Sequence, residues 1–154
     1  MDDIVTRSEN ILDRFKLDGK TALITGAAQG IGRAFAHALG DAGAKIAIVD
    51  INDEAGEEVV SELAEKGIEA IYLHTDVTIN SEADKMVNRV IDEWGTLTIG
   101  INNAGMGSWK PAEDTEAELW SRIMRLNQDA VFFCSQAEEK KKKKSGYGKI
   151  INTA

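Results

Sequence analysis

Apolar positions along the chain fall into two alternating rhythms. Short unbroken apolar runs, KTALIT at 20–25 and KIAIVD at 45–50, read as strands buried on both faces. Between such runs the apolar residues recur every three to four positions, the spacing of an amphipathic helix. In GIGRAFAHALGDA (30–42) this set is Ile31, Ala34, Phe35, Ala38 and Leu39. In DEAGEEVVSELAEKG (53–67) it is Val59, Val60 and Leu63, with Gly67 placed as a C-cap. AIYLHT (70–75) predicts a third strand. SEADKMVNRVIDEWG (81–95) predicts a third helix, opened by a Ser81 cap and closed near Gly95. LTIGIN (97–102) predicts a fourth strand. A long helix is expected over 115–143, with Leu119, Ile123, Leu126 and Val131 in its apolar set, and KIINT (149–153) reads as a fifth strand.

Strands alternating with helices imply βαβ units. The expected architecture is a Rossmann-type α/β fold, a doubly wound parallel sheet with helices on both faces. Two units are expected: an amphipathic arm over 1–17 and one α/β domain over 18–154. The arm carries Ile4, Ile11, Leu12 and Phe15, and is expected to fold back on its own domain rather than dock a partner.

Composition narrows the function. With 18 Lys and Arg against 26 Asp and Glu, the formal charge is −8, which argues against nucleic acid or an anionic membrane as partner. No apolar run is long enough to span a bilayer, and MDDIVTRSEN lacks the apolar core of a signal peptide. The single cysteine, Cys134, excludes an internal disulfide and fits a reducing, cytoplasmic compartment. His37 and His74 lack metal-ligand spacing, so no metal site is expected. Five lysines at 140–144 step round a whole helix, and a solvated helix end without an apolar face is expected there.

The candidate chemistry begins at TALITGAAQGIG (21–32). Gly26, Gly30 and Gly32 follow the first strand and open the first helix. In a doubly wound fold that turn is where a pyrophosphate meets the amides and positive dipole end of a helix N-terminus. For the glycines alone, a ligand-free strand-to-helix turn stays open as an alternative. Asp50 adds weight: it ends the second strand, where a dinucleotide fold places the acid that accepts the adenosine ribose hydroxyls. A carboxylate there repels a 2′-phosphate, and the flanking Gln29 and Ile51 bring no positive charge. The expected cofactor is NAD(H) rather than NADP(H). Arg33, which could reach a phosphate, is the counter-reading.

Together, Thr25-Gly26-x-x-x-Gly30-x-Gly32, Asp50, Asp76-Val77 and Asn102-Asn103-Ala104-Gly105 resemble the short-chain dehydrogenase/reductase family over about 18–154. The resemblance implies a cofactor loop of Thr25, Gly26, Gln29, Gly30, Ile31 and Gly32. It implies Asp50 and Ile51 at the adenosine ribose, Asp76 and Val77 at the adenine, and Asn103, Ala104 and Gly105 beside the cofactor ribose. Asn127 matches the family's helix asparagine, which organises a proton relay, and is the one catalytic residue the resemblance places. The family's acid/base is a tyrosine followed four places on by a lysine. Here Tyr72 is followed by Asp76 and Tyr147 by Ile151, and Lys149 lies too close to Tyr147 to share a helix face.

The expectation is therefore the N-terminal, cofactor-binding half of a longer oxidoreductase, inactive alone. The whole enzyme would move a hydride between nicotinamide and an alcohol or ketone, with a polyol or sugar as substrate, and would assemble as a dimer or tetramer. The rival reading is a dinucleotide-binding module without catalysis. Cys134 is expected in the core, while Trp109 is expected either to line a substrate cleft or to anchor the loop after Gly105.

Overall fold

Residues 10–153 are described by the structure, a computed structural model. The apolar runs form five parallel strands: β1 (Thr21–Thr25), β2 (Lys45–Asp50), β3 (Ala70–His74), β4 (Ile99–Asn102) and β5 (Lys149–Asn152). Their order is β3-β2-β1-β4-β5, so the chain crosses back over β1 between β3 and β4. The periodic segments form α1 (Gly30–Asp41), α2 (Asp53–Glu65), α3 (Asn80–Trp94), α4 (Ala117–Met124) and α5 (Ala130–Ser145).

β1 is buried at every position because it pairs on both edges and is covered on both faces. Successive side chains of a strand point to opposite faces. Ala22 and Ile24 therefore enter one core, with Ile46, Ile48, Val59 and Leu63. Leu23 enters the other, with Val49, Met86, Val87, Val90 and Cys134. This is the doubly wound α/β architecture expected from the pattern.

Several local expectations are corrected. In α1 the buried positions are Gly32, Ala36 and Gly40, with Phe35 and Leu39 half-buried, whereas Ile31, Ala34 and Ala38 face outward. The glycines set this rotation by letting the helix lie close to the sheet: a Cβ on Gly32 would collide with the Gly26 carbonyl. α3 starts at Asn80, one residue before the Ser81 cap, with Ile79 at the cap position. The turn before it is already fixed by Asp76, whose carboxylate accepts from the Thr78 N–H at 3.0 Å and the Thr78 hydroxyl at 2.7 Å. The long helix is interrupted by a π turn at Arg125–Asp129, closed by the Ala130 N–H on the Arg125 carbonyl.

The lysine run is not uniformly solvated. Lys140 reaches Asp84 on α3 and Lys143 pairs with Glu139, but Lys142 is buried beside the fully buried Glu138. Two glycines make the room. A Cβ on Gly100 would fall on the Glu138 carboxylate, and one on Gly148 would fall on the Lys142 stem. Of the arm, residues 1–9, Ile4 among them, lie outside the described part. Its remainder forms a short 3-10 helix, Ile11–Phe15, whose Ile11, Leu12 and Phe15 are exposed and do not fold back on the domain. Leu17, the last residue of the arm, packs on the core.

Candidate functional site

The carboxyl ends of the strands open onto a cleft of about 790 Å3, lined by the β1–α1 loop and the segments that follow β2, β3 and β4. Its position follows from the strand order: the crossover over β1 leaves a crevice where successive connections depart to opposite faces.

The floor is glycine for two reasons. Gly26 has φ 65° and packs so closely on the β4 end that a Cβ there would stand 2.8 Å from the Ala104 Cα. Gly30 has φ 56° and nothing within 4 Å of the place a Cβ would take, so its backbone faces open space. α1 begins at Gly30, and Gln29 at the cap position gives no side-chain hydrogen bond. The first-turn amides of the helix thus lack intrahelical acceptors and lie at the cleft wall. Exposed amides, a positive dipole end and a missing side chain together suit an anionic group.

Asp50 forms the opposite wall. Its carboxylate accepts from the Ala28 N–H (3.1 Å), the Ile51 N–H (2.8 Å) and the Asn52 N–H (3.2 Å), which fixes it against both loops. Arg33 points away from this wall. Its Nε donates to Glu62 Oε2 at 3.0 Å, its second nitrogen also binds Glu62, and His37 Nε2 stands 3.0 Å from the same carboxylate. Tyr72 braces the end of β2 by donating to the Asp50 carbonyl and the Asp53 carboxylate, both at 2.9 Å. Burial is the largest cause that drives its phenol far above the ordinary range, Asp53 adding to it, so it offers no proton near neutral pH.

The residues singled out in the sequence divide. Gly26, Gln29, Gly30, Ile31, Asp50 and Ile51 line one side of the cleft. Asp76, Val77, Asn103, Ala104 and Gly105 line it as well. Thr25, Gly32 and Asn127 do not line it. The Thr25 hydroxyl lies beneath, accepting from the Asn103 and Ala104 N–H groups, both at 3.0 Å. Asn103 in turn donates to the Thr25 carbonyl at 3.1 Å and the Gly26 carbonyl at 3.3 Å, tying the two loops. Asn127 sits on the π turn and clamps one residue of the loop after β4. Its Oδ1 accepts from the Met106 N–H at 2.9 Å and its Nδ2 donates to the Met106 carbonyl at 2.8 Å.

Sequence reasoning missed Met106, Arg122, Arg125 and Leu126, which also line the cleft. The periodicity of 115–143 treated Leu126 as core and gave no reason to look at the polar face beside it. Trp109 is fully exposed, lining no cleft and anchoring no loop. Cys134 is core, and burial pushes its thiol up to about 12. Among the described residues no group of His, Cys, Asp and Glu gathers as a metal site, and no helix is long and apolar enough to cross a membrane.

Comparison with known proteins agrees with this architecture. Residues 20–154 match the short chain dehydrogenase family. A sorbitol dehydrogenase of Cereibacter sphaeroides is 41% identical over 140 residues, 90% of this chain and 54% of that protein. A short-chain type dehydrogenase/reductase from Mycobacterium marinum superposes with a TM-score of 0.91 at 36% identity, over 94% of this chain and 59% of that one. An NAD+-bound xylitol dehydrogenase superposes with a TM-score of 0.87 at 34% identity, over 90% of this chain and 54% of that one. The chain spans about half the length of the curated relatives it matches. It belongs to the short-chain dehydrogenase family.

Proposed function

We propose that this member of the short-chain dehydrogenase family binds NAD(H) in the cleft above β1, β2 and β4, and serves oxidation or reduction of a polyol or sugar. The observation that carries the reading is the pairing of two walls. Gly30 and Ile31 line the cleft at the start of α1, with open space where a Gly30 Cβ would stand, and the Asp50 carboxylate, held by three N–H groups, lines it too. The residues fit the cofactor. The α1 amides would hold the diphosphate, Asp50 the adenosine ribose hydroxyls, and Asp76 with Val77 the adenine. When bound, the nicotinamide supplies or takes the hydride. Asn103, Ala104 and Gly105 would shape the backbone beside its ribose.

NAD(H) is favoured over NADP(H) by charge. A 2′-phosphate placed against Asp50 meets a like charge, worth about 1–4 kcal/mol at 4 Å for effective dielectrics between water and the protein surface. Arg33, in the first turn of α1, is engaged by Glu62. The polyol or sugar assignment rests on relatives named sorbitol and xylitol dehydrogenase. Asn127 would act by holding the Met106 segment at the substrate end of the cleft. Tyr72 and Tyr147, each lacking a lysine four places on, would not serve as the acid/base, so these 154 residues alone would show no turnover.

The second reading, a dinucleotide-binding module without catalysis, is favoured by that same absence. The test is a titration of the chain with NADH and NADPH followed by NADH-linked assays on sorbitol and xylitol. The reading expects saturable NADH binding at least tenfold tighter than NADPH, and no turnover by this chain. NADPH binding as tight as NADH overturns the cofactor assignment. Turnover abolished by Tyr147→Phe overturns the assignment of the acid/base.

A further inference from the structure

A second, smaller cavity of about 210 Å3 lies between the end of β3 and the outer face of α3, walled by His74, Thr75, Glu82, Lys85, Met86 and Arg89. We propose that it is a binding site for a phosphate group, free or carried by a small monoester, separate from the dinucleotide cleft.

Charge points to the site. The chain is strongly acidic, and several of its cations meet carboxylates: Lys45 with Glu69, Lys66 with Asp41, Lys110 with Glu116 and Lys140 with Asp84. Lys85 and Arg89 are not among these. They are one turn apart on α3, the spacing that brings two side chains together on a helix face. Both line the cavity, and among the described residues neither forms an ion pair or a side-chain hydrogen bond. Two like charges so placed repel each other. Asp84, the adjacent acid in sequence, is turned to Lys140 instead. A dianion between them removes the repulsion and takes charge-assisted hydrogen bonds from both.

The remaining lining is mixed. Glu82 is its one acid, and Glu82 Oε2 accepts from the Asp76 N–H at 2.9 Å. His74 Nδ1 stands 2.7 Å from Asp53 Oδ1, so the acid next to this wall is already engaged by the ring. Leu73 and Met86 form an apolar base. Size sets the ligand class: the cavity is below the roughly 300 Å3 of ordinary drug-sized pockets, too small for a second nucleotide and sufficient for a tetrahedral oxyanion with a short carbon chain. Thr75 lines both this cavity and the dinucleotide cleft, so the two sites share a wall.

The experiment is an amide-resolved NMR titration of the chain at constant ionic strength, with inorganic phosphate in one arm and glycerol 1-phosphate in the other. The proposal expects saturable shifts at Lys85 and Arg89, which line this cavity and not the dinucleotide cleft. Lys85→Ala with Arg89→Ala should weaken binding at least tenfold, and Lys66→Ala, a cation paired elsewhere, should leave it unchanged. Lys85 and Arg89 are exposed, so an unaltered thermal midpoint is expected of the double variant. Tighter binding of the monoester and equal binding of the two both support the site and identify its source. Shifts confined to residues 26–32, shifts that never saturate, or unchanged affinity in the double variant overturn it. The outcome is independent of the NAD(H) assignment, because the two sites report on different amides.

Discussion

Replacing Lys142 by methionine is expected to destabilise the protein in a pH-dependent way. Both Glu138 oxygens are buried without a hydrogen-bond partner, and the Lys142 ammonium lies 3.8 Å from Oε2. At that distance the attraction is about 4 kcal/mol for an effective dielectric near 20. Removing each ion from water costs several kcal/mol, so the pair contributes little net stability, while either charge left alone is costly. Lys142→Met should therefore cost about 3–5 kcal/mol at pH 8. Glu138→Leu combined with Lys142→Met should bring stability back to within about 1 kcal/mol of the parent, or above it.

The pH dependence follows from the carboxyl. Burial pushes Glu138 up to about 7, against an ordinary 4.5, with Lys142 pulling the other way. The folded state therefore holds this proton more tightly than the unfolded chain does. Its contribution is fully present below 4.5 and is lost as pH rises through about 7, a span equivalent to about 3 kcal/mol at 1.36 kcal/mol per pH unit. Without the ammonium the folded value rises further. Lys142→Met should then lose least near pH 5, where Glu138 keeps its proton, and most at pH 8. Urea unfolding followed by circular dichroism at the two pH values measures this, each variant taken relative to the parent. Equal losses at pH 5 and pH 8, or a double variant as unstable as the sum of its singles, would refute the reasoning.

Other expectations concern the cleft. Thr25→Val keeps the shape but leaves the Asn103 and Ala104 N–H groups without their acceptor, so chemical denaturation should show a loss of about 2–4 kcal/mol. Gly32→Ala sets a methyl on the Gly26 carbonyl and should both destabilise the fold and weaken NADH binding at least tenfold by fluorescence titration. Asn127→Ala frees the Met106 backbone; faster amide exchange is expected at Met106 and Gly107, with a stability change of about 1–2 kcal/mol.

The fold was readable because the strands are unbroken apolar runs and the helices are periodic, and each signal is local. The glycine loop and Asp50 were readable because their spacing is short and fixed by one βαβ unit. Pairings across distance were not. Arg33 meets Glu62 from 29 positions away, and nothing in either segment announces it. Lys142 sits in a run that looks solvated; its burial depends on Gly100 and Gly148, which lie on other elements. The π turn escaped because its residues continue the helical pattern while an extra residue shifts the faces. Thr25 carries a cofactor expectation from its place in a motif; that its hydroxyl also accepts from two N–H groups of the loop after β4 is visible only in the contacts.

The most direct measurement is a calorimetric titration of wild type and Asp50→Ala with NADH and NADPH. Wild type should bind NADH at least tenfold tighter than NADPH, and Asp50→Ala should weaken NADH while narrowing or reversing the gap. Wild type that binds neither dinucleotide, or an Asp50→Ala variant with an unchanged preference, would contradict it.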